Sequence, residues 1–378
     1  MPLLVRSACL LALGVGVGRF VFTPILPLMT EHAGVSPRAG SVLATLNYLG
    51  YAIGALGALG LRGRVHLLPL RRVCIVTICL SLFAMGMTDG LVTWGALRFL
   101  AGVGGAVLFV LGVDDLLSGV ARRTTAAWGF GGVGAGIVLS GVVIALLGDA
   151  AWREAWWLAG AVGCALGVAA WGKGSPAGVH SADEQTRRGG TPAGPWPFRL
   201  VWVAYAIEGV GYIIIGTFLV AAVSENAPVR VGSMVWVAVG LVALPSCACW
   251  TWLTLRVRRA TALTMALLVQ AVAAALPVLT TAPSAALASG MLFGATIIAV
   301  PWLALMVARD TGRRNDVVLM TLGYGGGQVV GPLLAAPLLA GGYRSSLMVA
   351  AVVLAIGAGV AGVLAGTRPA PANPGSVT

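Results

Sequence analysis

The sequence predicts an all-α integral membrane protein, with twelve transmembrane helices in two pseudo-symmetric six-helix bundles. Three observations lead there. The chain of 378 residues is 58% hydrophobic and only 10% charged, whereas a soluble domain carries about 25% charged residues. So few charges cannot clothe a water-facing globule of this size. Apolar runs of about 20 residues, each enough to cross a bilayer as a helix, recur along the whole chain. The arginines gather in alternate connections between those runs, which is the footprint of membrane topology.

The first span, 5–30, is expected to be retained rather than removed as a leader. Its apolar stretch continues through Arg19 to Met29 with no clean small-residue cleavage site. Arg19 lies near its middle, Thr23 follows one turn later on the same face, and Pro24 and Pro27 stand beyond. Those prolines free backbone carbonyls and bend a helix around a cavity. The second span, 38–61, carries Asn47 and Tyr51 at i, i+4, and the third, 71–88, opens on Arg71 and Arg72. The fourth, 92–117, holds Arg98 in its outer half, then Gly102, Gly105 and Ala106 as a smooth packing face, then Asp114 and Asp115. The fifth and sixth, 125–148 and 153–172, are apolar, with Trp152, Trp156 and Trp157 where an aromatic belt is expected.

Residues 173–197 change character to Gly, Ser, Pro, Thr and charge. They read as a flexible cytoplasmic linker between a bundle at 1–172 and a bundle at 198–378. The seventh span, 198–222, sets Tyr205, Glu208 and Tyr212 on one face by i, i+3, i+7 spacing. Spans 230–255, 260–281 and 284–308 follow, the last with Trp302 behind Pro301. The eleventh, 315–340, places Tyr324 and Gln328 at i, i+4 beside Gly325, Gly326 and Gly327, and the twelfth is 344–366.

Orientation follows from the basic residues. With the N-terminus inside, the inner connections and termini hold Arg6, Arg62, Arg64, Arg71, Arg72, Arg122, Arg123 and many more. The outer ones hold only Arg38, Arg153, Arg230 and Arg344. The bias keeps one sign through every inner loop, so both termini are expected in the cytoplasm of a bacterial-type inner membrane. A repeat supports two like halves: Gly16-Val17-Gly18 matches Gly209-Val210-Gly211 at an offset of 193, and Gly129-Phe130-Gly131-Gly132 matches Gly323-Tyr324-Gly325-Gly326 at 194.

A charge at the centre of a membrane helix costs about 2.5–3.5 kcal/mol on insertion scales, and such residues mark pathways. Arg19, Arg98 and Glu208 are therefore the candidate solute or proton-coupling groups. Each also has a structural reading: Arg19 binding its own freed carbonyls, an Arg19–Glu208 ion pair, or Arg98 snorkelling outward near Trp94. Tyr205, Tyr212, Asn47, Tyr51, Tyr324 and Gln328 are candidate hydrogen-bonding partners of a solute, interhelical bonding being the alternative. Asp114 and Asp115 are expected to pair with Arg71 or Arg72 at an inner gate.

Several classes are excluded. The net charge of +12 sits in short loops and not on a nucleic-acid-binding face. The six cysteines fall inside apolar runs without zinc-type spacing, and the three histidines fall in loops, so no metal centre or cofactor is expected. No phosphate-binding loop, Gly-x-Ser-x-Gly elbow or His-Glu-x-x-His pair occurs. The chain is expected not to be an enzyme, and to need no partner beyond the lipid bilayer, a small-molecule solute and protons.

The run Gly16-Val17-Gly18-Arg19-Phe20-Val21-Phe22-Thr23-Pro24-Ile25-Leu26-Pro27-Leu28-Met29 resembles the opening of the YbfB/YjiJ family of major facilitator transporters. Asn47-Tyr48-Leu49-Gly50-Tyr51, Glu208-Gly209-Val210-Gly211-Tyr212-Ile213 with Thr217-Phe218-Leu219, and Gly327-Gln328-Val329-Val330-Gly331-Pro332 extend the likeness to the second, seventh and eleventh spans. The resemblance implies the major facilitator fold, alternating access, and a central cavity lined by the first, fourth, seventh and tenth helices. The loop 60–66 departs from the superfamily pattern by lacking the customary aspartate. Two arginines against one glutamate favour an anionic or zwitterionic solute, moved with protons. The alternatives are a proton-driven exporter of hydrophobic or cationic compounds, in which Glu208 binds the cation, and a transport-dead sensor.

Overall fold

The computed structural model describes residues 3–60, 67–119, 128–147, 152–172, 195–313 and 316–367. The basic positions Arg62, Arg64, Arg122 and Arg123, and the linker up to residue 194, lie outside them. Among the described residues all regular structure is helical. Hydrocarbon offers backbone groups no partner, so a spanning segment must bond its own. The first group comprises α1 (Leu3–Leu11), α2 (Phe22–His32), α3 (Pro37–Gly60), α4 (Leu67–Met87), α5 (Leu91–Gly119), α6 (Gly131–Leu147) and α7 (Trp152–Ala170). The second comprises α8 (Pro195–Ser224), α9 (Val229–Leu253), α10 (Arg259–Leu279), α11 (Pro283–Ile297), α12 (Ala299–Asp310), α13 (Asp316–Ala335) and α14 (Tyr343–Gly366).

Ten helical segments among the described residues are long and apolar enough to cross a membrane. One is built from α1 and α2 together, and one from α11 and α12. The remaining helices are α6, apolar but only 17 residues long, and α7, whose 19 residues open on Arg153 and Glu154. Helix α8 begins at Pro195, inside the stretch expected to be linker. Large apolar side chains such as Val73, Leu80, Leu146, Val168 and Leu279 face outward. A girdle of that kind is stable against lipid and not against water.

Two expected spans are interrupted. A π-helical turn, Ala12–Val17, follows α1, and residues 18–21 form a turn before α2. Gly18 and Phe20 donate five residues back, to the carbonyls of Leu13 and Val15. Pro24 has no N–H to give the Phe20 carbonyl, which accepts from Thr23 at 3.2 Å instead. The second interruption, at Ile298, separates α11 from α12. Pro301 cannot donate to the carbonyl of Ile297, four residues earlier. Beyond Ala335 the chain tightens into a 3₁₀ turn, Ala336–Gly341.

The expected repeat has a packing counterpart. Gly16 lies against Gly136 of α6, and Gly209 against the Tyr324 backbone of α13. A side chain at either glycine would meet backbone atoms, so only a hydrogen permits the approach. The halves also share a clasp. Arg153 donates to the Gly86 carbonyl at 2.9 Å, and Arg344, 191 residues later, donates to the Pro277 carbonyl at 3.0 Å, also 191 residues later.

The two groups meet along α6–α9, α3–α13 and α2–α8. Antiparallel succession gives the molecule two faces: a terminal face, where α1 starts and α14 ends, and a far face, where α2 turns into α3. The far half is zipped between the groups. Ser41 donates to the Pro332 carbonyl at 2.6 Å, Thr23 donates to the Gly216 carbonyl at 2.7 Å, and the hydroxyls of Tyr48 and Thr217 are 2.7 Å apart. Towards the terminal face, the rings of Phe130 and Trp302 meet across the groups with centroids 5.4 Å apart.

Candidate functional site

The interruption between α1 and α2 sets Arg19 at the middle of the molecule. Its side chain is buried, and one guanidinium nitrogen donates to Gln328 Oε1 at 2.9 Å, from the first group to the second. Aromatic rings supply the rest of its surroundings: the Tyr48 and Tyr51 centroids lie 4.7 Å from its guanidinium carbon, Phe20 at 5.2 Å and Tyr212 at 5.9 Å. Their π faces attract the cation but accept no strong hydrogen bond. Arg19 Nε and Gln328 Nε2 are buried donors without an acceptor. Each such group costs about 1–3 kcal/mol.

Arg98 is placed differently from Arg19. Only 1% of it is exposed, so it does not snorkel. Its two terminal nitrogens donate to the carbonyls of Gly18 and Arg19 at 3.0 and 2.8 Å. Those carbonyls lie in the interrupted stretch, so Arg98 staples α5 to the break that orients Arg19. Asn47 continues the brace, donating from α3 to the Arg98 carbonyl at 2.7 Å.

Glu208 is wholly buried, and neither carboxylate oxygen has a hydrogen-bond partner. It does not form an ion pair with Arg19. Gln270 of α10, also wholly buried, adjoins that carboxylate without reaching good hydrogen-bond geometry. The expected stripe on α8 is present. Tyr205 stacks on Tyr324 at 4.3 Å with rings 2° from parallel, and Tyr212 lies 5.7 Å from Tyr324 and 6.4 Å from Phe20. The chain has six tyrosines, and all but Tyr343 gather here.

Arg71 pairs with Asp115 at 2.6 Å, both buried. The pair joins α4 to α5 inside one group and does not cross between groups. Arg72 lies over the Trp171 ring at 5.2 Å, and Asp114 is half-buried on α5. Arg259 pairs with Asp310 inside the second group, in the corresponding place. A cavity of about 230 Å³ lies away from Arg19, at the terminal face beside α8 and α13, lined by Phe198, Arg199, Trp202, Arg313 and Leu319. The space around Arg19 is filled by protein rings in this arrangement. Among the described residues no cluster of His, Cys, Asp and Glu could hold a metal ion, and the six cysteines are free.

Sequence reasoning missed Gln270, Tyr48 and the row of rings running from Tyr51 through Phe109 and Phe130 to Trp302. Gln270 carried a signal, being a lone amide within an apolar run. The ring row carried none, because four aromatics from four separate parts of the chain share no spacing.

A family model described as an uncharacterised MFS-type transporter, YbfB, matches residues 11–362. No curated protein matches the sequence. Among solved structures, a bacterial homologue of the human lysosomal transporter Spinster, in an inward-facing and occupied conformation, aligns with a TM-score of 0.70 at 14% identity, covering 97% of this chain and 98% of that one. The nucleoside transporter NupG aligns at 0.69 and 12% identity, covering 97% and 98%. At such identities the likeness is one of fold.

Proposed function

The chain belongs to the family of uncharacterised MFS-type transporters typified by YbfB, and from that premise we propose that it moves a small anionic or zwitterionic organic solute by alternating access of two six-helix bundles, coupled to protons. The observation that carries the reading is the pair of unsatisfied donors, Arg19 Nε and Gln328 Nε2. They belong to residues already bonded to each other at 2.9 Å, one on each bundle. A carboxylate or similar oxyanion supplies the acceptors both lack, with charge-assisted bonds to arginine. Because it touches both bundles, its binding differs between conformations, as a transported solute must.

The side of the membrane follows from charge. Arg6, Arg71, Arg72, Arg199, Arg256, Arg258, Arg259, Arg309 and Arg313 lie towards the terminal face, against Arg38, Arg153, Arg230 and Arg344 at the far face. That asymmetry supports an inner-membrane protein with both termini cytoplasmic. The zipped far half is then the periplasmic gate, and the Phe130–Trp302 contact a thin cytoplasmic one. The Arg71–Asp115 and Arg259–Asp310 pairs each keep one bundle rigid as it rocks.

Glu208 is the proton-coupling group. A buried charge is tolerable only when paired, so its protonation is linked to the approach of a donor such as Arg19. The test is a thermal-shift screen of organic acids, amines and zwitterions on the detergent-purified protein. Acids or zwitterions should stabilise the wild type but not Gln328→Glu, whose new carboxylate would occupy Arg19. Stabilisation by amines alone would favour the cation exporter. For coupling, Glu208→Gln should still exchange solute in counterflow but lose accumulation driven by a pH gradient. Unchanged accumulation would remove Glu208 from the mechanism.

A further inference from the structure

We infer that the solute carries an aromatic ring beside its carboxylate: the site around Arg19 is built for an aryl acid. This rests on the anion reading above and adds the chemistry of the solute's other end. The two unsatisfied donors define where the oxyanion sits. Around the guanidinium stands a set of π faces. Tyr48 and Tyr51 stand 4.7 Å from the guanidinium on the first bundle, with Tyr212 at 5.9 Å from the second.

The Tyr205–Tyr324 pair shows how a ring would be held. Its rings are parallel within 2° at 4.3 Å, and Tyr324 sits one helical turn before Gln328, on the same face of α13. A solute carboxylate on Gln328 and Arg19 thus places the rest of the solute at these rings. Tyr51 and Tyr324 are only partly buried, unlike Tyr48 and Tyr212, so of this wall they are the side chains that keep accessible surface. In this arrangement protein rings cover the cation. An aryl acid replaces one ring contact with another while supplying the missing acceptor, and so loses little on entering. A saturated ring of the same size supplies the acceptor but forfeits the π contacts. A sugar-like solute would need hydrogen-bonding groups that this wall offers only at its tyrosine hydroxyls.

The experiment is equilibrium binding to the purified full chain in nanodiscs, with four probes of nearly equal size: phenylacetate, cyclohexylacetate, phenylacetamide and phenethylamine. Phenylacetate should bind about fivefold tighter than cyclohexylacetate, the ratio expected of one aromatic contact, and phenylacetamide should bind undetectably. Tyr324→Leu should bring the two acids together, and Tyr324→Phe, which keeps the ring, should keep the preference. A monodisperse size-exclusion peak shows the Leu variant to be folded. Equal binding of the two acids to the wild type would overturn the aryl proposal and leave the anion reading standing. Binding of phenethylamine without phenylacetate would overturn both, and so would a wild type that binds none of the four.

Discussion

Arg19 and Arg98 are both buried at the same level, yet the chemistry of their neighbours gives them opposite duties. Arg98 spends both terminal nitrogens on backbone carbonyls of the interrupted stretch, whereas Arg19 bonds a side chain of the other group, Gln328, whose own Nε2 is unpartnered. Arg98→Ala should therefore lower the melting temperature of the purified protein sharply, since each stranded carbonyl costs about 1–3 kcal/mol. Arg98→Lys should recover part of it, a single ammonium being unable to reproduce the guanidinium fork. Arg19→Gln should lower the melting temperature less and abolish stabilisation by anions. The same contrast separates two ion pairs. The side chains of Arg71 and Asp115 are 4% and 8% exposed, those of Arg259 and Asp310 39% and 50%. Asp115→Asn strands a buried guanidinium and should cost about 3–5 kcal/mol, while Asp310→Asn should cost about 0–1 kcal/mol. Melting curves of both variants check the order. Sequence reading found these arginines because charge is rare in apolar runs. It did not separate staple from anchor, since that depends on which carbonyls lie opposite, and a carbonyl leaves no mark in a sequence.

At the scale of the element, the broken spans show what was readable and what was not. Pro24 and Pro27 announced a distortion of the first span, and the distortion is there, but it lies on their N-terminal side. Gly14, Gly16 and Gly18 weaken the helix there, and an i to i+5 pattern admits one extra residue. Apolar periodicity is blind to that insertion when every face of the segment is buried, as it is from Leu10 to Met29. The interruption at Ile298 was missed although Pro301 marked it, because a single non-helical residue leaves the apolar run unbroken. Packing glycines were more legible, because the offset of 193 pairs Gly16 with Gly209 and both prove to be close approaches. Gly16→Leu should force α6 away from the first span and yield little monodisperse protein on size-exclusion chromatography. Gly359→Ala has open space at its site and should be neutral or stabilise by up to about 1 kcal/mol through helix propensity. Equal yields of the two variants would mean that the first contact is not needed for folding.

At the scale of the whole molecule, the polar break at 173–197 and the arginine bias point to two bundles but say nothing of which half closes. Closure depends on contacts between residues about 170 to 310 positions apart, such as Tyr48 with Thr217 and Arg19 with Gln328, and no local pattern encodes those. In the structure the far half is closed by bonds from Thr23, Ser41 and Tyr48 to the second bundle. Alternating access requires those bonds to break in every cycle. Cysteines introduced as Tyr48→Cys and Thr217→Cys, in a background with the native cysteines replaced, sit where the two side chains now meet, hydroxyl to hydroxyl at 2.7 Å. A short thiol cross-linker there should stop solute counterflow in proteoliposomes, and reduction should restore it. The control lies on the same face but within one bundle: Asp89→Cys with Arg153→Cys, at a pair 2.8 Å apart and largely exposed. Bridging that pair should leave counterflow running, because a bundle that rocks as a rigid body does not change its internal distances. If both bridges stopped transport, the moving unit would be smaller than a bundle, and the interruptions at residues 18–21 and at Ile298 would be the hinges to test next.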